Sequence, residues 1–457
     1  MESVIATNQP QDKTTVLQTK LYEAAKADKA RRFHALHDKL YLPYILQRAW
    51  VMVRRNKGSA GIDGQTLEEI EKYGVDLFLT ETAQAVRENT YRPVPVRRVH
   101  IPKPDGRLRP LGIPIVRDRV VQAAAKLILE PIFEADFEGC SFGFRPGIGQ
   151  HDALAAIADH SKQGFRWVVD ADIEQFFDNL DHQELMAALR LRIGDGAMLR
   201  LIYRWLKAGY LWEGEYHDTD EGSPQGGVLS PLLANVYLNS FDKAFKQQKS
   251  FIGRLTRYAD DFVIQCGTEE MAQRALAWAH AQMGKLKLRI HPTKTRIVND
   301  RDVGFDFLSF HHRRVLLQSL SRTGARRESH GVLRWPAKKA QEKFRAQIRL
   351  RLGPPGCLRS QWQDVMERLC DYVTGWCQYF RHGQSTDVFR KLDYFVHIRV
   401  ARNLARGQPK GKQRRRRLWS YYAKRLTQLG VLPRLILIKS GTFRAYRGRA
   451  KVSWRAV

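Results

Sequence analysis

The sequence has few cysteines and no long apolar run, and each absence excludes a class of protein. Its 457 residues include five cysteines, an odd number without a CxxC pair, so neither a disulfide framework nor a zinc ribbon is indicated. No stretch approaches the roughly 18 apolar residues that a membrane span requires. The first 13 residues are polar and lack the apolar core of a signal peptide. We therefore expect a soluble, cytoplasmic protein without a membrane partner.

Acidic residues are scarce in the last third of the chain. Residues 301–457 contain 36 Lys and Arg against 9 Asp and Glu, whereas residues 1–300 contain 41 against 38. After Asp393 there is no acidic residue, and aromatic residues such as Trp419 and Tyr422 lie among the basic ones. Phosphate backbones neutralise such a charge excess with release of counterions, and aromatic rings can stack on bases. The composition indicates nucleic-acid binding; a solvated basic tail without a specific partner is the alternative.

Apolar periodicity and turn residues predict a mixed α/β (α+β) fold. Apolar residues at helical spacing alternate with strand-like segments that are bounded by Gly, Pro and Asp. Asp181 with Glu184 three residues later is typical of a helix start. The predicted helices cover residues 14–56, 117–133, 181–192 and 363–380, and the predicted strands lie within residues 91–114, 166–173 and 254–265.

Three aspartates are candidates for phosphoryl-transfer chemistry. Asp260 and Asp261 are adjacent carboxylates between apolar strand-like segments, where they repel each other and resist burial unless a cation is present. Taken alone, the pair is weak evidence for a metal site and fits an exposed turn better. Asp172 lies near the end of another apolar strand. Two-metal catalysis uses oxygen ligands that hold two ions roughly 3.5–4 Å apart, and three carboxylates on neighbouring strands meet that need.

Ordered blocks along the chain resemble the group II intron family of reverse transcriptases. Residues 258–261 (YADD) are similar to the family's Y-x-D-D signature, and residues 172–179 (DIEQFFDN) are similar to its upstream aspartate motif. The other blocks, in the family's order, are residues 61–64 (GIDG), 103–114 (KPDGRLRPLGIP), 141–147 (SFGFRPG), 223–235 (SPQGGVLSPLLAN), Lys294 within HPTKT, and 304–308 (GFDFL). Their shared order is far more specific than any single block.

The resemblance implies an RNA-directed DNA polymerase. Such an enzyme transfers a nucleotide from a dNTP to a primer 3′-hydroxyl on an RNA template, with two Mg²⁺ ions as cofactors, for which Mn²⁺ can substitute. The catalytic residues that it implies are Asp172, Asp260 and Asp261. The implied metal ligands are the same three aspartates together with Ile173.

The resemblance also implies a set of nucleotide-binding residues. Lys103 and Arg109 would hold the triphosphate, although an ordinary basic strand edge would look the same. Phe177 would act as a steric gate against a 2′-hydroxyl, and Phe176 is the neighbour that could be confused with it. Lys294 would lie near the leaving pyrophosphate, with a plain surface lysine as the alternative. The remaining residues of this set are Ile173, Gln225 and Gly226.

The resemblance extends more weakly into a thumb or maturase region, through residues 375–381 and 389–393. We expect a right-hand polymerase with fingers and palm, followed by a helical thumb. The expected domains are an N-terminal helical extension at 1–90, fingers and palm at 91–315, the thumb or maturase (X) domain at 330–405, and a basic RNA/DNA-binding extension at 406–457. No Cys and His cluster follows residue 377, so no DNA-cleaving activity is expected.

The implied partners are an RNA template, a DNA primer, dNTPs and structured RNA such as group II intron RNA, in a bacterial cytoplasm. Two other functions fit the same motifs. The chain could act chiefly as an RNA-binding splicing cofactor with secondary polymerase activity. It could also be a domesticated group II-like reverse transcriptase in phage defence or alongside CRISPR machinery.

Overall fold

The computed structural model describes residues 12–102, 108–223, 226–320, 326–353 and 362–405. Their contacts divide the chain into two compact units. Unit 1 comprises the described residues within Met1–Ala153, Ala171–Ile264 and Glu270–Arg296, and unit 2 those within Leu154–Asp170, Gln265–Glu269 and Ile297–Val457. In chain order the elements are α1 (Lys13–Ala27), α2 (His37–Leu40), α3 (Pro43–Arg55), α4 (Leu67–Tyr73), α5 (Val75–Arg87), β1 (Val96–Pro102), β2 (Leu108–Ile113), α6 (Val116–Glu134), α7 (Gln150–Lys162), β3 (Trp167–Asp172), α8 (His182–Arg190), α9 (Gly196–Leu206), β4 (Tyr210–Trp212), β5 (Glu215–His217), α10 (Ser230–Gln247), β6 (Gly253–Tyr258), β7 (Asp261–Cys266), α11 (Glu269–Lys285), β8 (Arg296–Asn299), β9 (Phe305–Phe307), β10 (Phe310–Leu320), β11 (Arg326–Pro336), α12 (Lys338–Leu352), α13 (Trp362–Phe380) and α14 (Thr386–Ala405).

The helical character predicted over residues 14–56 is confirmed, and three helices, α1, α2 and α3, divide this range. Between α1 and α2 the chain is extended, and the backbone N–H of Phe33 donates to the carbonyl of Arg192 at 2.8 Å. A backbone partner so distant in sequence cannot be seen in apolar spacing. The third helix begins at Pro43, whose missing N–H costs nothing in the first turn of a helix.

Helix α6 is the core helix of unit 1, and it confirms the helix predicted over residues 117–133. Nearly all of its side chains are buried, among them Ile128, Leu129 and Ile132. It packs against α1 and α3. Burying each large aliphatic side chain stabilises the fold by about 1.5–3 kcal/mol.

The first sheet contains the strand-like segment predicted within residues 91–114. Its strand order is β2-β1-β4-β5. Strands β1 and β2 are antiparallel, with Arg97 opposite Ile113 and Ile101 opposite Arg109. This hairpin therefore holds Arg109 near the end of β1.

The second sheet carries the three candidate aspartates, and its strand order is β6-β7-β3-β8. The N–H of Arg166, just before β3, donates to the carbonyl of Cys266, the last residue of β7, at 2.8 Å. These neighbouring strands are therefore antiparallel. The end of β3, at Asp172, lies beside the beginning of β7, at Asp261.

Unit 2 contains a three-stranded sheet of order β11-β10-β9, in which β10 and β11 form a hairpin. It also contains the helices α12, α13 and α14. Its apolar core includes Phe305, Phe310, Phe344 and Phe389, all fully buried. Helix α13 confirms the helix predicted over residues 363–380, and its side chains Leu369, Val373 and Phe380 are buried.

Residues 406–457, predicted as the basic extension, lie outside the described residues. Within the described ranges, no helix combines the length and the apolar character that crossing a bilayer requires. Residue 330, where the thumb was predicted to begin, falls within β11; the predicted domain boundaries themselves stay predictions.

Candidate active site

Asp172 is the last residue of β3, and its carboxylate forms an ion pair with Lys294. Backbone pairing brings the lysine there. The carbonyl of Asp172 accepts a hydrogen bond from the N–H of His291 at 2.8 Å, and Ile173 forms an antiparallel bridge with Ile290. The chain that leaves β3 thus runs beside residues 289–291, which places Lys294 on the aspartate that was predicted to bind metal.

Asp260 and Asp261 occupy the turn from β6 to β7. Ala259, before them, has a φ of 58°, so the turn includes a left-handed residue that is not glycine. Burial raises the pKa of Asp260, and the negative charge of Asp172 raises it further. The positive charges of Arg109 and Lys294 act in the opposite direction. These four side chains, from four separate parts of the sequence, therefore lie within electrostatic reach of one another.

The donor chemistry of this cluster fits a hard divalent cation, which prefers carboxylate oxygens. A carboxylate that lies near a second negative charge is stabilised in its charged form by a nearby positive charge. In the structure the ammonium of Lys294 supplies such a charge to Asp172. Within the described residues, no group of three or more Asp, Glu, His or Cys is arranged to hold a metal ion as it stands. A metal ion bound to the carboxylate oxygen that Lys294 contacts would therefore have to displace the lysine.

The two adjacent phenylalanines have different surroundings. Phe176 is 2% exposed and lies in the core against Tyr237. Phe177 lines a cavity of about 480 Å³, together with Gly112 and Ser223. This cavity makes Phe177, rather than Phe176, the ring that can meet a ligand.

The remaining predicted residues differ in how they are placed. The side chain of Ile173 is buried, so only its main chain is available to a nucleotide or a metal. Gly226 has a φ of 118°, and a Cβ there would lie 2.5 Å from the carbonyl oxygen of Gly112. Its lack of a side chain is thus required for packing against β2. Lys103 and Gln225 lie outside the described residues.

Sequence reasoning missed Arg257, which directly precedes YADD and is a fully buried arginine. Its guanidinium donates from Nε to one carboxylate oxygen of Asp242 at 2.8 Å, and from Nη2 to the other carboxylate oxygen. It further donates to Ser141 Oγ at 2.7 Å and Asn235 Oδ1 at 3.1 Å. Its last partner is the carbonyl oxygen of Ala259 at 2.9 Å. One side chain therefore connects the turn to the blocks at 141–147 and 223–235.

The block at 141–147 also contacts the turn through its backbone. The N–H of Phe142 donates to the carbonyl of Arg257 at 2.9 Å. A Cβ on Gly143 would lie 2.4 Å from the backbone nitrogen of Ala259, so only glycine fits there. The glycine and the serine were present in a quoted block and the arginine directly precedes another, but their shared role depends on contacts between distant positions.

Comparison with known families agrees with this architecture. The family described as reverse transcriptase (RNA-dependent DNA polymerase) matches residues 101–312, and the group II intron maturase-specific domain matches residues 341–422. Protein YkfC of Escherichia coli (strain K12) is 36% identical over 353 residues, which cover 68% of this chain and 90% of YkfC. This chain belongs to the group II intron-type reverse transcriptases.

Two further proteins are similar to parts of this reverse transcriptase. The group II intron-encoded protein LtrA of Lactococcus lactis subsp. cremoris is 43% identical over 225 residues, 48% of this chain and 36% of LtrA. The chain thus matches about a third of LtrA's length. A partial Cas6-RT-Cas1–Cas2 complex shares 25% identity with a TM-score of 0.36, covering 55% of this chain and 43% of that chain; a likeness this low carries no argument.

The chain therefore carries a reverse transcriptase domain, an RNA-dependent DNA polymerase, followed by a helical maturase region. The polymerase family implies divalent metal ions, and the two domains imply an RNA template and binding of intron RNA.

Proposed function

We propose that this reverse transcriptase extends a DNA primer on an RNA template, with Asp172, Asp260 and Asp261 as its catalytic carboxylates. The primer's 3′-oxygen forms a bond to the α-phosphorus of a dNTP, the bond to the β-phosphate oxygen breaks, and pyrophosphate leaves. The observation that supports this assignment is the electrostatic coupling of Asp172 to Asp260 at the adjoining ends of neighbouring strands. The second sheet would be the palm of a right-hand polymerase.

Two Mg²⁺ ions, or Mn²⁺ in their place, would be held by the three aspartates and the main chain of Ile173. When bound, such ions lower the pKa of the attacking hydroxyl and stabilise the charge that develops on the leaving group. The protein's own contribution is to hold the carboxylates on two adjacent strand ends. Arg257 keeps the second of these ends in place through the carbonyl of Ala259.

The incoming nucleotide would meet residues from several blocks. Arg109, whose charge already acts on Asp260, would pair with the triphosphate, with Lys103 beside it. Phe177 would block a 2′-hydroxyl. Lys294 would leave Asp172 for the leaving pyrophosphate. Gln225 and Gly226 would complete the pocket, with Gly226 held against β2.

The domain arrangement that we propose is the one predicted from the sequence: an N-terminal helical extension at 1–90, fingers and palm at 91–315, a thumb or maturase domain at 330–405, and a basic extension at 406–457. The family matches at 101–312 and 341–422 support the two central parts. The excess of basic residues after residue 300 supports contact between the last parts and structured intron RNA.

A primer-extension assay tests this function. Purified protein is given a DNA primer on matched RNA and DNA templates, with dNTPs and rNTPs in separate reactions. We expect extension on the RNA template with dNTPs and little extension with rNTPs. No extension on RNA under any divalent metal would contradict the proposal.

A splicing cofactor is the second candidate, favoured by the maturase-specific domain. Asp172→Asn and Asp260→Asn separate the two functions when splicing of the cognate intron is measured beside extension. Splicing that persists after extension is lost would show that the chain also works as an RNA-binding cofactor.

A further inference from the structure

A basic groove lies between α8 and α9 in unit 1, and none of its lining residues is proposed to touch metal or nucleotide. Its volume is about 840 Å³. Arg190, Arg200 and Arg204 line it together with Tyr203, over a floor that includes Met186 and Leu199. Among the described residues, no aspartate or glutamate is part of its lining.

The three arginines are not neutralised within the part of the chain that the structure describes. Among the described residues, none of the three arginines forms an ion pair with a carboxylate, and Arg190 and Arg200 are exposed. Acidic side chains near the two helices are engaged elsewhere. The carboxylate of Asp195 accepts four backbone N–H groups, including those of Ala197 and Met198, and Glu184 pairs with Lys287.

Helix α9 carries two of the three arginines, Arg200 and Arg204, and it is packed against the core of unit 1. Its opposite face is buried, through Met198, Leu201, Ile202 and Trp205. Arg200 and Arg204 are one turn apart, a spacing at which like charges destabilise a helix by a few tenths of a kcal/mol. An anion that bridges the two guanidinium groups removes this cost.

We propose that this groove, defined by Arg190, Arg200, Tyr203 and Arg204, binds the phosphate backbone of structured RNA, separately from the template–primer duplex. The guanidinium fork matches phosphate geometry and can bind it bidentately. The exposed ring of Tyr203, 44% accessible, can stack on an unpaired base of the same RNA. The inference rests on the proposed action on RNA, which makes RNA rather than an acidic protein the occupant.

Composition gave no sign of this surface. Residues 1–300 are nearly neutral as a whole, so the charge distribution indicated nucleic-acid binding only for the basic last third. The fold instead brings together three arginines from α8 and α9, and no described acidic residue lines the groove that they form.

The test compares two triple variants of the full chain. Arg190→Gln, Arg200→Gln and Arg204→Gln remove the groove's charge. Lys20→Gln, Lys249→Gln and Lys285→Gln remove the same charge from exposed lysines elsewhere in unit 1. Binding of a labelled RNA hairpin with an unpaired loop is measured over a range of salt concentrations. Extension of a short primer on an RNA template is measured in parallel.

The slope of log affinity against log salt concentration measures how many phosphate contacts the protein makes, at about 0.9 per contact. We expect the magnitude of this slope to fall by about 3 in the groove variant, because three arginines are removed. The lysine variant should change the slope much less, and both variants should extend the short primer as the wild type does. Equal slope changes in the two variants, or none in either, would overturn the proposal. Loss of short-primer extension in the groove variant would assign the groove to the template–primer duplex and overturn it as well, whereas failure of the proposed function itself would appear as lost extension in the wild type.

Discussion

The guanidinium of Arg257 and the carbonyl oxygen of Ala259 are 2.9 Å apart, so a buried side chain fixes the residue that directly precedes Asp260. The same guanidinium is paired with Asp242, which is fully buried too. Two charged groups of such low exposure are tolerated only as a hydrogen-bonded pair. The position of the candidate catalytic turn therefore depends on an ion pair that no substrate touches.

Arg257→Lys keeps the charge but loses the planar fork that reaches the carbonyl of Ala259. We expect kcat for nucleotide addition to fall on the order of 10–100-fold, because a small displacement of catalytic groups is costly, while KM for dNTP changes little. Arg254→Lys, in the same strand but exposed, should behave as the wild type. Steady-state kinetics on an RNA template check this, and an unchanged kcat in Arg257→Lys would refute the positioning role.

Arg257→Ala would in addition leave the buried carboxylate of Asp242 without a partner. Breaking a buried ion pair in this way typically costs about 3–5 kcal/mol. Thermal unfolding should therefore show a larger loss of stability in Arg257→Ala than in Arg257→Lys.

Phe177→Ala should admit ribonucleotides, because the ring that lines the cavity would no longer exclude a 2′-hydroxyl. We expect the ratio of rNTP to dNTP incorporation to rise roughly 10–100-fold. Phe176→Ala is the matched control: it removes a core side chain and should cost about 3–5 kcal/mol of stability without changing the ratio. Selectivity that shifts in Phe176→Ala and not in Phe177→Ala would mean that the two roles were exchanged.

Lys294→Gln should have opposite effects on metal binding and on nucleotide binding. Without the ammonium on Asp172, the metal-free protein should bind Mn²⁺ more tightly, as measured by electron paramagnetic resonance of free Mn²⁺. KM for dNTP should rise about tenfold, because a charge-assisted hydrogen bond to the nucleotide is lost. Lys287→Gln offers a control. Lys287 lies between α11 and β8, as Lys294 does, and it also pairs with an aspartate, Asp181, at 2.7 Å. Weaker Mn²⁺ binding in Lys294→Gln would contradict the competition between lysine and metal.

Asp118 should give the stability a measurable dependence on pH. Burial raises its pKa to about 6, although it accepts hydrogen bonds from Tyr91 at 2.6 Å and from the N–H of Val94. An aspartate in the unfolded chain titrates near 3.9, so the folded state keeps the proton over a range in which the unfolded state has lost it. The resulting stabilisation is complete below about pH 4 and is lost as the pH rises through 6, by roughly 3 kcal/mol.

Asp118→Asn removes that titration. The free energy of unfolding, measured with urea, should fall between pH 4 and pH 7 by about 3 kcal/mol less in the variant than in the wild type. Its stability at the acidic end should be lower by about 1 kcal/mol, because an amide nitrogen cannot accept from Val94. Asp76→Asn, at an exposed position, should leave the wild-type slope unchanged. An unchanged slope in Asp118→Asn would remove this residue as the source.

Local signals in the sequence were sufficient for the elements that carry the site. The strand before Asp172, the strand–turn–strand around Asp260 and the helix cap at Asp181 were predicted and are present, since each depends on neighbouring residues. The order of the family blocks was sufficient to identify the fold class and the enzyme.

Features that depend on distant contacts could not be predicted in this way. The break after α1 results from backbone pairing with Arg192, and the role of Arg257 results from partners at positions 141, 235 and 242. The two rings of Phe176 and Phe177 are adjacent in sequence, and only their packing distinguishes the buried one from the one that lines a cavity. The groove between α8 and α9 combines charges that the overall composition conceals.

The most direct test of the central claim is single-nucleotide incorporation on an RNA template by Asp172→Asn and Asp260→Asn, with RNA binding measured on the same preparations. Asp170→Asn, two residues earlier in β3, serves as the control. We predict that both catalytic-site variants lose incorporation by on the order of 10³-fold or more while they bind RNA as the wild type does, and that Asp170→Asn stays active. Incorporation near the wild-type rate in either Asp172→Asn or Asp260→Asn would contradict the assignment of the two aspartates to one catalytic centre.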